Sequence, residues 1–341
     1  MTQIDLSLVL PVYNEAQTVP HLAKRLLDLQ QQLPHDLELE VIFVNDGSQD
    51  ESAALLHSLV LASPKYKLIN FSRNFGHQAA ITAGINAAQG RAVIVMDADL
   101  QDPPELICNM AQAWQQGAEI VIAKRDLRLG ETLFKRLTAG LFYRLLARMT
   151  QVPIVLDAGD FYLLDRKVVN VLNACPERSR FLRGLVAWAG FKKTVIPYQR
   201  DARQFGTTHY TLKKMFSLAK DALFGFSETP IAFIHGSGLL SMFIALVAGI
   251  HSLYAFFAHE TVAGWTSMVL LLSFFGGLIL LSLGIVAEYV FRIFKETQAR
   301  PFYVISECID AHSQRQASRI ISAKSRSATQ PNSDSAKAGL A

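Results

Sequence analysis

The sequence predicts an α/β protein in which a mostly parallel sheet, covered by helices, is followed by a pair of membrane helices. In the first 125 residues, β-rich apolar runs alternate with stretches of helical periodicity, which is typical of parallel sheets. Further along the chain, two apolar stretches, 231–257 and 265–287, contain no Asp, Glu, Lys or Arg. A helix of about 20 apolar residues can cross a bilayer, so each stretch predicts one membrane span.

The composition supports this division into two parts. Hydrophobic residues make up 50% of the 341-residue chain and charged residues 18%, and the mean hydropathy of +0.22 is high for a water-soluble protein. The formal net charge of +4 is too small and too dispersed to indicate nucleic acid binding, so we expect no nucleic acid partner. Three cysteines without a CxxC pair favour a reducing, cytosolic environment for the main domain.

Five strands and four helices are predicted in the α/β region. The predicted strands cover Leu6 to Leu10, Leu39 to Asn45, Lys67 to Phe71, Ala92 to Met96 and Glu119 to Ala123. The predicted helices begin near Thr18, Glu51, His77 and Pro103. Ligands of such sheets bind outside the carboxyl ends of the strands, and the functional site is therefore expected at that edge.

Polar clusters follow three of the predicted strands. The first strand ends in 11–15 (PVYNE), the second in 45–48 (NDGS) and the fourth in 97–102 (DADLQD). The second cluster is also consistent with a simple tight turn, because Asp and Gly favour turns. In the third cluster, Asp97 and Asp99 would repel each other unless a cation lay between them. Hard carboxylate oxygens suit Mg²⁺ or Mn²⁺, and the sequence therefore predicts a divalent metal site.

The second half of the chain predicts how the protein meets the membrane. Four segments are expected: a cytosolic domain over 1–210, an interfacial helix over 211–230, two transmembrane helices within 231–292 (about 231–257 and 265–291), and a cytoplasmic segment over 293–341 that is disordered from about residue 313. Lys and Arg flank the outer ends of the two spans, whereas the link carries only Glu260, so both termini are predicted to be cytoplasmic. A buried helix pair in a soluble core is the alternative.

A basic segment between residues 132 and 149 has two interpretations. It pairs an apolar helical stripe with four cations, Lys135, Arg136, Arg144 and Arg148. The helix either packs on the core with a solvated basic face, or lies at the membrane surface with its cations at headgroup depth. Its residue pattern is consistent with both.

Four motifs carry a resemblance to a known family. They are 10–15 (LPVYNE), 44–48 (VNDGS), 71–78 (FSRNFGHQ) and 96–105 (MDADLQDPPE). The chain resembles the family 2 glycosyltransferases of GT-A (Rossmann-like) fold from about residue 5 to 310. Within them it is similar to the polyprenyl-phosphate glycosyltransferases, the group of dolichol-phosphate mannose synthase and the bacterial undecaprenyl-phosphate (bactoprenol) glucosyltransferases. Residues 157–161, 180–184, 288–289 and 300–303 resemble the subgroup with a two-helix membrane hairpin.

The resemblance implies roles for individual residues. The nucleotide sugar would be held by Pro11, Tyr13, Glu15 and Asp46, with Arg203 in a loop that closes on the diphosphate. The metal, Mg²⁺ or Mn²⁺, would be held by Asp97, Asp99 and Gln101. The acceptor phosphate would lie near Arg125, Lys135 and Arg136. Asp157, together with Asp160, either orients acceptor or sugar hydroxyls, which would make Asp157 catalytic, or caps a turn around Gly159.

The resemblance also implies a reaction. An inverting, metal-dependent enzyme would transfer a sugar, with glucose expected, from a UDP-linked donor to polyprenyl (undecaprenyl) phosphate. A phosphate monoester is largely dianionic at neutral pH, so this acceptor needs no strong general base. The implied setting is a bacterial inner (plasma) membrane, with the catalytic domain in the cytoplasm and the chain in a homo-oligomer, a tetramer in the family. Mannose, an N-acetylhexosamine or aminoarabinose are alternative sugars.

Two departures and three competing classes complete the prediction. Thr208 and His209 stand where the family usually has Ser and Lys, and Tyr162 stands where an Arg is commoner in the subgroup. A processive polysaccharide synthase is disfavoured by the lack of a Gln-x-x-Arg-Trp motif, and a nucleotidyltransferase by the lack of a Gly-rich first turn. A non-catalytic nucleotide-sugar-binding scaffold is disfavoured by the intact acidic cluster at 97–102.

Overall fold

The computed structural model describes residues 4–125, 155, 158–178, 180–199, 227, 229–257 and 265–310. The strands are β1 (Leu6–Val12), β2 (Leu39–Asn45), β3 (Tyr66–Phe71), β4 (Ala92–Val95), β5 (Ile120–Arg125), β6 (Ala158–Asp165), β7 (Lys193–Tyr198) and β8 (Ile305–Asp310). The helices are α1 (Val19–Gln32), α2 (Ser52–Ala62), α3 (His77–Ala87), α4 (Leu106–Gln115), α5 (Arg166–Ala174), α6 (Leu182–Trp188), α7 (Thr229–Phe257) and α8 (Trp265–Thr297).

One eight-stranded sheet organises the described α/β region. Its strand order is β7-β5-β6-β4-β1-β2-β3-β8. Strands β1 to β4 are parallel to one another, β5 is parallel to β7, and β6 and β8 run antiparallel to their neighbours. The prediction of an α/β fold with a mostly parallel sheet is confirmed.

The carboxyl end of β1 lies at the point where the strand order reverses. Strand β2 continues the sheet on one side of β1 and β4 on the other. Strand β1 pairs with β2 as far as Val12 but with β4 only as far as Val9. Pro11, which lacks an N–H, therefore falls beyond the stretch that pairs with β4. Separation of the two strand ends opens a crevice, and ligands bind at such switch points.

Helices cover both faces of the sheet because its central strands are buried on both sides. Every residue of β1, β2 and β4 is buried. Leu8 on β1 packs in the cluster that contains Leu22 of α1 and Ile107 of α4. Val9, its neighbour, points to the opposite face and packs in the cluster of Ile81 on α3 and Val168 on α5. This two-sided burial explains the continuous apolar runs from which the strands were predicted.

The long helices α7 and α8 carry many exposed apolar side chains. Met242 on α7 and Leu272 on α8 are 66% and 73% exposed. Within the described part of the chain, one stretch, Phe274–Thr297, is long and apolar enough to cross a membrane, and Thr229–Ile244 is a shorter apolar helix. Helix α7 begins at Thr229, just before the predicted span, and α8 continues past residue 291 to Thr297. The two-span hairpin stays a prediction. Residues 211–226, 258–264 and the tail from 313 lie outside the described residues.

The chain returns from α8 to the sheet as the edge strand β8. The aromatic rings of Tyr303 and Phe71 stack with centroids 5.1 Å apart, and Asn86 Nδ2 donates to the Tyr303 hydroxyl at 3.0 Å. Beyond this contact β8 pairs antiparallel with β3. The segment that follows α8 is thereby fixed to the α/β domain beside the residues that precede α3.

Candidate active site

The segments that follow β1 and β2 are joined by hydrogen bonds. The Asn14 N–H donates to Ser48 Oγ at 3.0 Å, and the Gln49 N–H donates to Asn14 Oδ1 at 2.8 Å. The Glu15 N–H donates to Ser52 Oγ at 2.9 Å. Asn14 has a φ of 55°, a left-handed conformation that asparagine tolerates better than most residues. The first two predicted clusters therefore lie together at the carboxyl edge.

Asp46 holds the loop that leads into α3. Its carboxylate is almost fully buried and accepts from the Phe75 N–H at 2.7 Å and the Gly76 N–H at 3.0 Å. Burial raises the pKa of Asp46, although these two hydrogen bonds oppose the rise. At Gly47, where φ is 66°, a Cβ would lie 2.4 Å from the Arg73 carbonyl carbon, so a glycine lets the two loops meet. This structural role of Asp46 was not predicted.

Asp97, at the end of β4, has a buried carboxylate oxygen that needs a partner. Its Oδ1 accepts no hydrogen bond from the described residues and forms an ion pair with His77, whose Nε2 lies 3.4 Å away. Burial raises the pKa of Asp97 to about 6; His77 opposes this rise, whereas the carboxylates of Asp102, Asp99 and Asp160 add to it. An oxygen of this kind is typical of a place where a cation binds.

Asp99 and Gln101 complete the predicted metal-ligand set. Asp99 Oδ1 accepts from the Gln101 N–H at 3.1 Å, and Leu100 between them has a φ of 58°. Across the described residues, no group of three or more His, Cys, Asp or Glu side chains is gathered as a ready metal cage. These oxygen donors, among them an Asp97 Oδ1 that accepts no hydrogen bond from the described residues, nevertheless fit a hard divalent ion that also takes oxygens from a ligand.

A second set of charged side chains, Asp160 on β6 and Arg183 on α6, lies close to His77, which also contacts Asp97. The buried carboxylate of Asp160 accepts two hydrogen bonds from Arg183, Nε to Oδ1 at 2.7 Å and Nη2 to Oδ2 at 3.0 Å. His77 Nε2 lies 3.3 Å from Asp160 Oδ2. The His77 side chain is 45% exposed. Partial desolvation of its imidazole opposes protonation, but the hydrogen bond to Asp160 and the charge of Asp97 outweigh it and raise the pKa of His77 to about 9. Sequence reasoning assigned no role to His77 or Arg183, although both lie in quoted motifs.

Tyr162 and Tyr198 are buried tyrosines whose hydrogen-bond surroundings could not be predicted from the sequence. The hydroxyl of Tyr162, which stands where an Arg is commoner, is buried and finds no hydrogen-bond partner among the described residues. Tyr198, the last residue of β7, donates a short hydrogen bond to Asp102 and accepts one from Arg125 Nε at 3.2 Å. Tyr198 belongs to none of the sequence motifs. It lies beside Arg125 because β5 and β7 pair in parallel, and that pairing could not be predicted from the sequence.

The structure gathers most of the predicted site residues at one edge. Pro11, Tyr13, Glu15, Asp46, Asp97, Asp99, Gln101 and Arg125 all lie at or just after the carboxyl ends of β1, β2, β4 and β5. Asp157, Lys135, Arg136 and Arg203 lie outside the described residues, as do Thr208 and His209. A single edge thus joins the buried Asp97 Oδ1, which accepts no hydrogen bond from the described residues, with His77 and the loops that follow β1 and β2.

Comparisons with known proteins identify the class to which this fold and crevice belong. The family model for Glycosyl transferase family 2 matches residues 7–172. The uncharacterized glycosyltransferase YkcC of Bacillus subtilis (strain 168) is 44% identical over 319 residues, which cover 92% of this chain and 96% of the relative. The chain belongs to glycosyl transferase family 2 and is a glycosyltransferase with a GT-A α/β fold.

Two further comparisons concern a more distant relative and a solved structure. The bactoprenol glucosyl transferase of Shigella phage SfX is 35% identical over 303 residues, with 89% of this chain and 99% of the relative covered. The crystal structure of S. aureus TarS 1-349 in complex with UDP-GlcNAc is 14% identical, with a TM-score of 0.43, and the alignment covers 63% of this chain and 64% of that one.

Proposed function

We propose that this glycosyltransferase transfers a glucosyl group from UDP-glucose to polyprenyl phosphate, with inversion at the anomeric carbon. The observation that carries the proposal is the buried Oδ1 of Asp97 at the switch-point crevice, which accepts no hydrogen bond from the described residues. A cation and the diphosphate that it binds would lie there. The acceptor and the sugar are supported by the name of the 35% identical relative, a bactoprenol glucosyl transferase aligned over nearly its whole length.

The residues of the crevice divide between the two substrates. The proposed nucleotide-sugar residues are Pro11, Tyr13, Glu15, Asp46 and Arg203. The proposed residues for the acceptor phosphate are Arg125, Lys135 and Arg136. Asp97, Asp99 and Gln101 would hold Mg²⁺ or Mn²⁺, which when bound neutralises charge that develops on the departing diphosphate. The oxygen donors of this set suit either ion.

The proposed reaction is a single displacement. An oxygen of the acceptor phosphate forms a bond to the anomeric carbon, while the bond between that carbon and the diphosphate oxygen breaks. The electron pair of the broken bond leaves with UDP, and the opposite approach of the acceptor inverts the configuration. Because the acceptor is already an anion, the protein mainly aligns two negatively charged groups, and Arg125 contributes one of the cations that offset their repulsion.

A transfer assay tests this proposal. Membranes that contain the protein are incubated with undecaprenyl phosphate and with radiolabelled UDP-glucose, UDP-N-acetylglucosamine or GDP-mannose in turn. We expect the labelled lipid to form with UDP-glucose, to require a divalent ion, and to show inverted anomeric configuration by NMR. Transfer only with another donor would contradict the sugar assignment. Binding of UDP-glucose with no transfer to lipid would contradict catalysis and favour the scaffold.

The same proposal places α7 and α8 in a bacterial inner membrane as a two-helix hairpin, with the catalytic domain and both termini in the cytoplasm. The exposed apolar side chains of both helices support it, as do the cations that flank them. The family resemblance also suggests a homo-oligomer. A hairpin of this kind would hold the crevice within reach of a lipid phosphate at headgroup depth.

Thiol labelling of intact cells checks this orientation. Cys108, Cys175 and Cys308 are first replaced by Ser, since none of them is in a disulfide and Cys308 is exposed. A Thr261→Cys variant should then react with a membrane-impermeant reagent from outside, whereas Ser322→Cys should react only after the cells are permeabilised. The reverse pattern would place the crevice outside the cell, away from nucleotide sugars, and would contradict the proposed function.

A further inference from the structure

Asp102, Arg125 and Tyr198 form a cluster, here called the Arg125 cluster, at the carboxyl ends of β4, β5 and β7. Asp102 is completely buried, and its Oδ1 accepts a hydrogen bond from the Tyr198 hydroxyl. The same hydroxyl accepts from Arg125 Nε at 3.2 Å, and Arg125 Nη2 lies 3.9 Å from Asp102 Oδ1. The Tyr198 hydroxyl therefore donates a hydrogen bond to the Asp102 carboxylate and accepts one from the Arg125 guanidinium.

The backbone of β6 limits where the Arg125 guanidinium can lie. A Cβ at Gly159 would be only 2.5 Å from Arg125 Nη2, so the guanidinium lies directly against a residue without a side chain. Arg125 and Tyr198 are also register partners at the ends of two parallel strands. The side chain of Arg125, the last residue of β5, keeps 21% of its surface exposed.

A buried carboxylate alone would need only charge compensation, which any nearby cation gives. The Arg125 cluster does more, because the hydroxyl of Tyr198 is bonded to both partners and thereby fixes the direction of a planar guanidinium. Burial and the charge of Asp102 raise the pKa of Tyr198, so its hydroxyl stays protonated and able to donate. Arg recognises phosphate through donors in a fixed plane, and that recognition depends on orientation.

We propose that Tyr198 is a positioning residue which, with Asp102 and the bare backbone of Gly159, orients the Arg125 guanidinium toward the phosphate of the lipid acceptor. The inference rests on the proposed function and deepens it, since it identifies what sets the geometry of the acceptor-phosphate site. Tyr198 itself does not touch the substrate. It acts through the hydrogen bond to Arg125 Nε.

The test compares steady-state kinetics of full-length Tyr198→Phe and wild type, with undecaprenyl phosphate in detergent micelles and UDP-glucose as the two substrates. We expect the KM for undecaprenyl phosphate to rise about tenfold, the loss that corresponds to one hydrogen bond to a charged group. The KM for UDP-glucose should stay unchanged. Tyr66→Phe is the matched control: Tyr66 is also a buried strand tyrosine, and its hydroxyl accepts from Gln30 Nε2 at 3.4 Å, away from the crevice.

Two further variants separate orientation from stability. Arg125→Lys keeps the charge but lacks Nε, so it should show the same rise in acceptor KM, and adding Tyr198→Phe to it should cause no further rise. Gly159→Ala removes no polar atom but displaces the guanidinium, and it too should raise the acceptor KM while its melting temperature stays near that of wild type.

The outcomes distinguish this inference from the proposed function. Wild type without turnover on undecaprenyl phosphate would overturn the proposed function itself. Wild-type turnover with an unchanged acceptor KM in Tyr198→Phe, or with equal rises in both KM values, would overturn the positioning role alone. Additive effects of Arg125→Lys and Tyr198→Phe would also overturn it, because the two residues would then act independently.

Discussion

Asp99→Ala is expected to abolish divalent-cation-dependent sugar transfer while the protein still folds and reaches the membrane. Asp99 is a half-buried carboxylate directly after the buried strand β4, and its neighbour Asp97 has a buried oxygen without a hydrogen-bond partner among the described residues. Loss of a direct metal ligand removes several kcal/mol of transition-state stabilisation. Turnover is measured with Mg²⁺ and Mn²⁺ titrations and after EDTA treatment. Asp97→Ala should show the same defect to a lesser degree.

Asp28→Ala is the matched control, since Asp28 is exposed on α1 and belongs to none of the segments that line the crevice. It should retain wild-type turnover and the same dependence on the metal. Wild-type turnover in Asp99→Ala, or full activity of the wild type in EDTA, would show that the metal assignment is wrong. The folded state of each variant is checked by its melting temperature, so that a loss of activity is not confused with unfolding.

The second large effect is expected on stability. Arg183→Ala removes two hydrogen bonds from the buried Asp160 carboxylate and leaves His77 and Gln78 as its polar neighbours. Breaking a buried ion pair by removal of one partner typically costs about 3 kcal/mol or more. His77 remains 3.3 Å from Asp160 Oδ2, so we expect a loss at the lower end of that range. The free energy of unfolding of Arg183→Ala should therefore fall by about 3 kcal/mol at pH 7, as measured by denaturant unfolding.

The dependence on pH gives this prediction a second readout. Burial would raise the pKa of Asp160, but Arg183 and His77 overcome it and hold that pKa well below its ordinary value. A depressed pKa contributes stability that is present above the unfolded-state pKa, near 4, and is lost as the pH falls below it. The difference between wild type and Arg183→Ala should therefore be largest at neutral pH and shrink below about pH 4.

Lys65→Ala supplies the comparison for an exposed pair. Lys65 Nζ lies 2.9 Å from Glu38 Oε2, but both side chains are nearly half exposed. Such surface pairs contribute about 1 kcal/mol or less. An equal loss of stability in Lys65→Ala and Arg183→Ala, or a pH-independent loss in Arg183→Ala, would contradict the account of Asp160 as a buried charge that depends on its partner.

The parts of the fold that the sequence predicted are those with local signals. Strands β1 to β5 are mainly apolar and mostly buried, and their bounds agree with the predicted ones to within two residues. Strands β6, β7 and β8 were not predicted. In β7, for instance, buried and exposed positions are mixed and Pro197 interrupts the run, so no clear strand pattern stands out. Their places in the sheet depend on partners far away in the sequence.

The same distinction applies to the site. Asp97 and Asp99 were found because two carboxylates after an apolar strand are unusual by themselves. Arg183 and Tyr198 could not be given roles, since their partners Asp160 and Asp102 lie 23 and 96 positions away. Asp46 shows a third case: its residue type indicated a ligand contact, whereas the structure shows that both of its oxygens hold the loop before α3.

Strand β8 has a consequence for biosynthesis. Its partner β3 is among the early parts of the chain to leave the ribosome, but β8 follows only after α7 and α8 have been made. Until then, the hydrogen-bonding groups along the outer edge of β3 have no strand to pair with, and the face of Phe71 lacks the ring of Tyr303. Open edges recruit other chains. A nascent chain that stalls between α7 and β8 therefore leaves this edge open, and the edge is covered only once β8 has been made and pairs with β3.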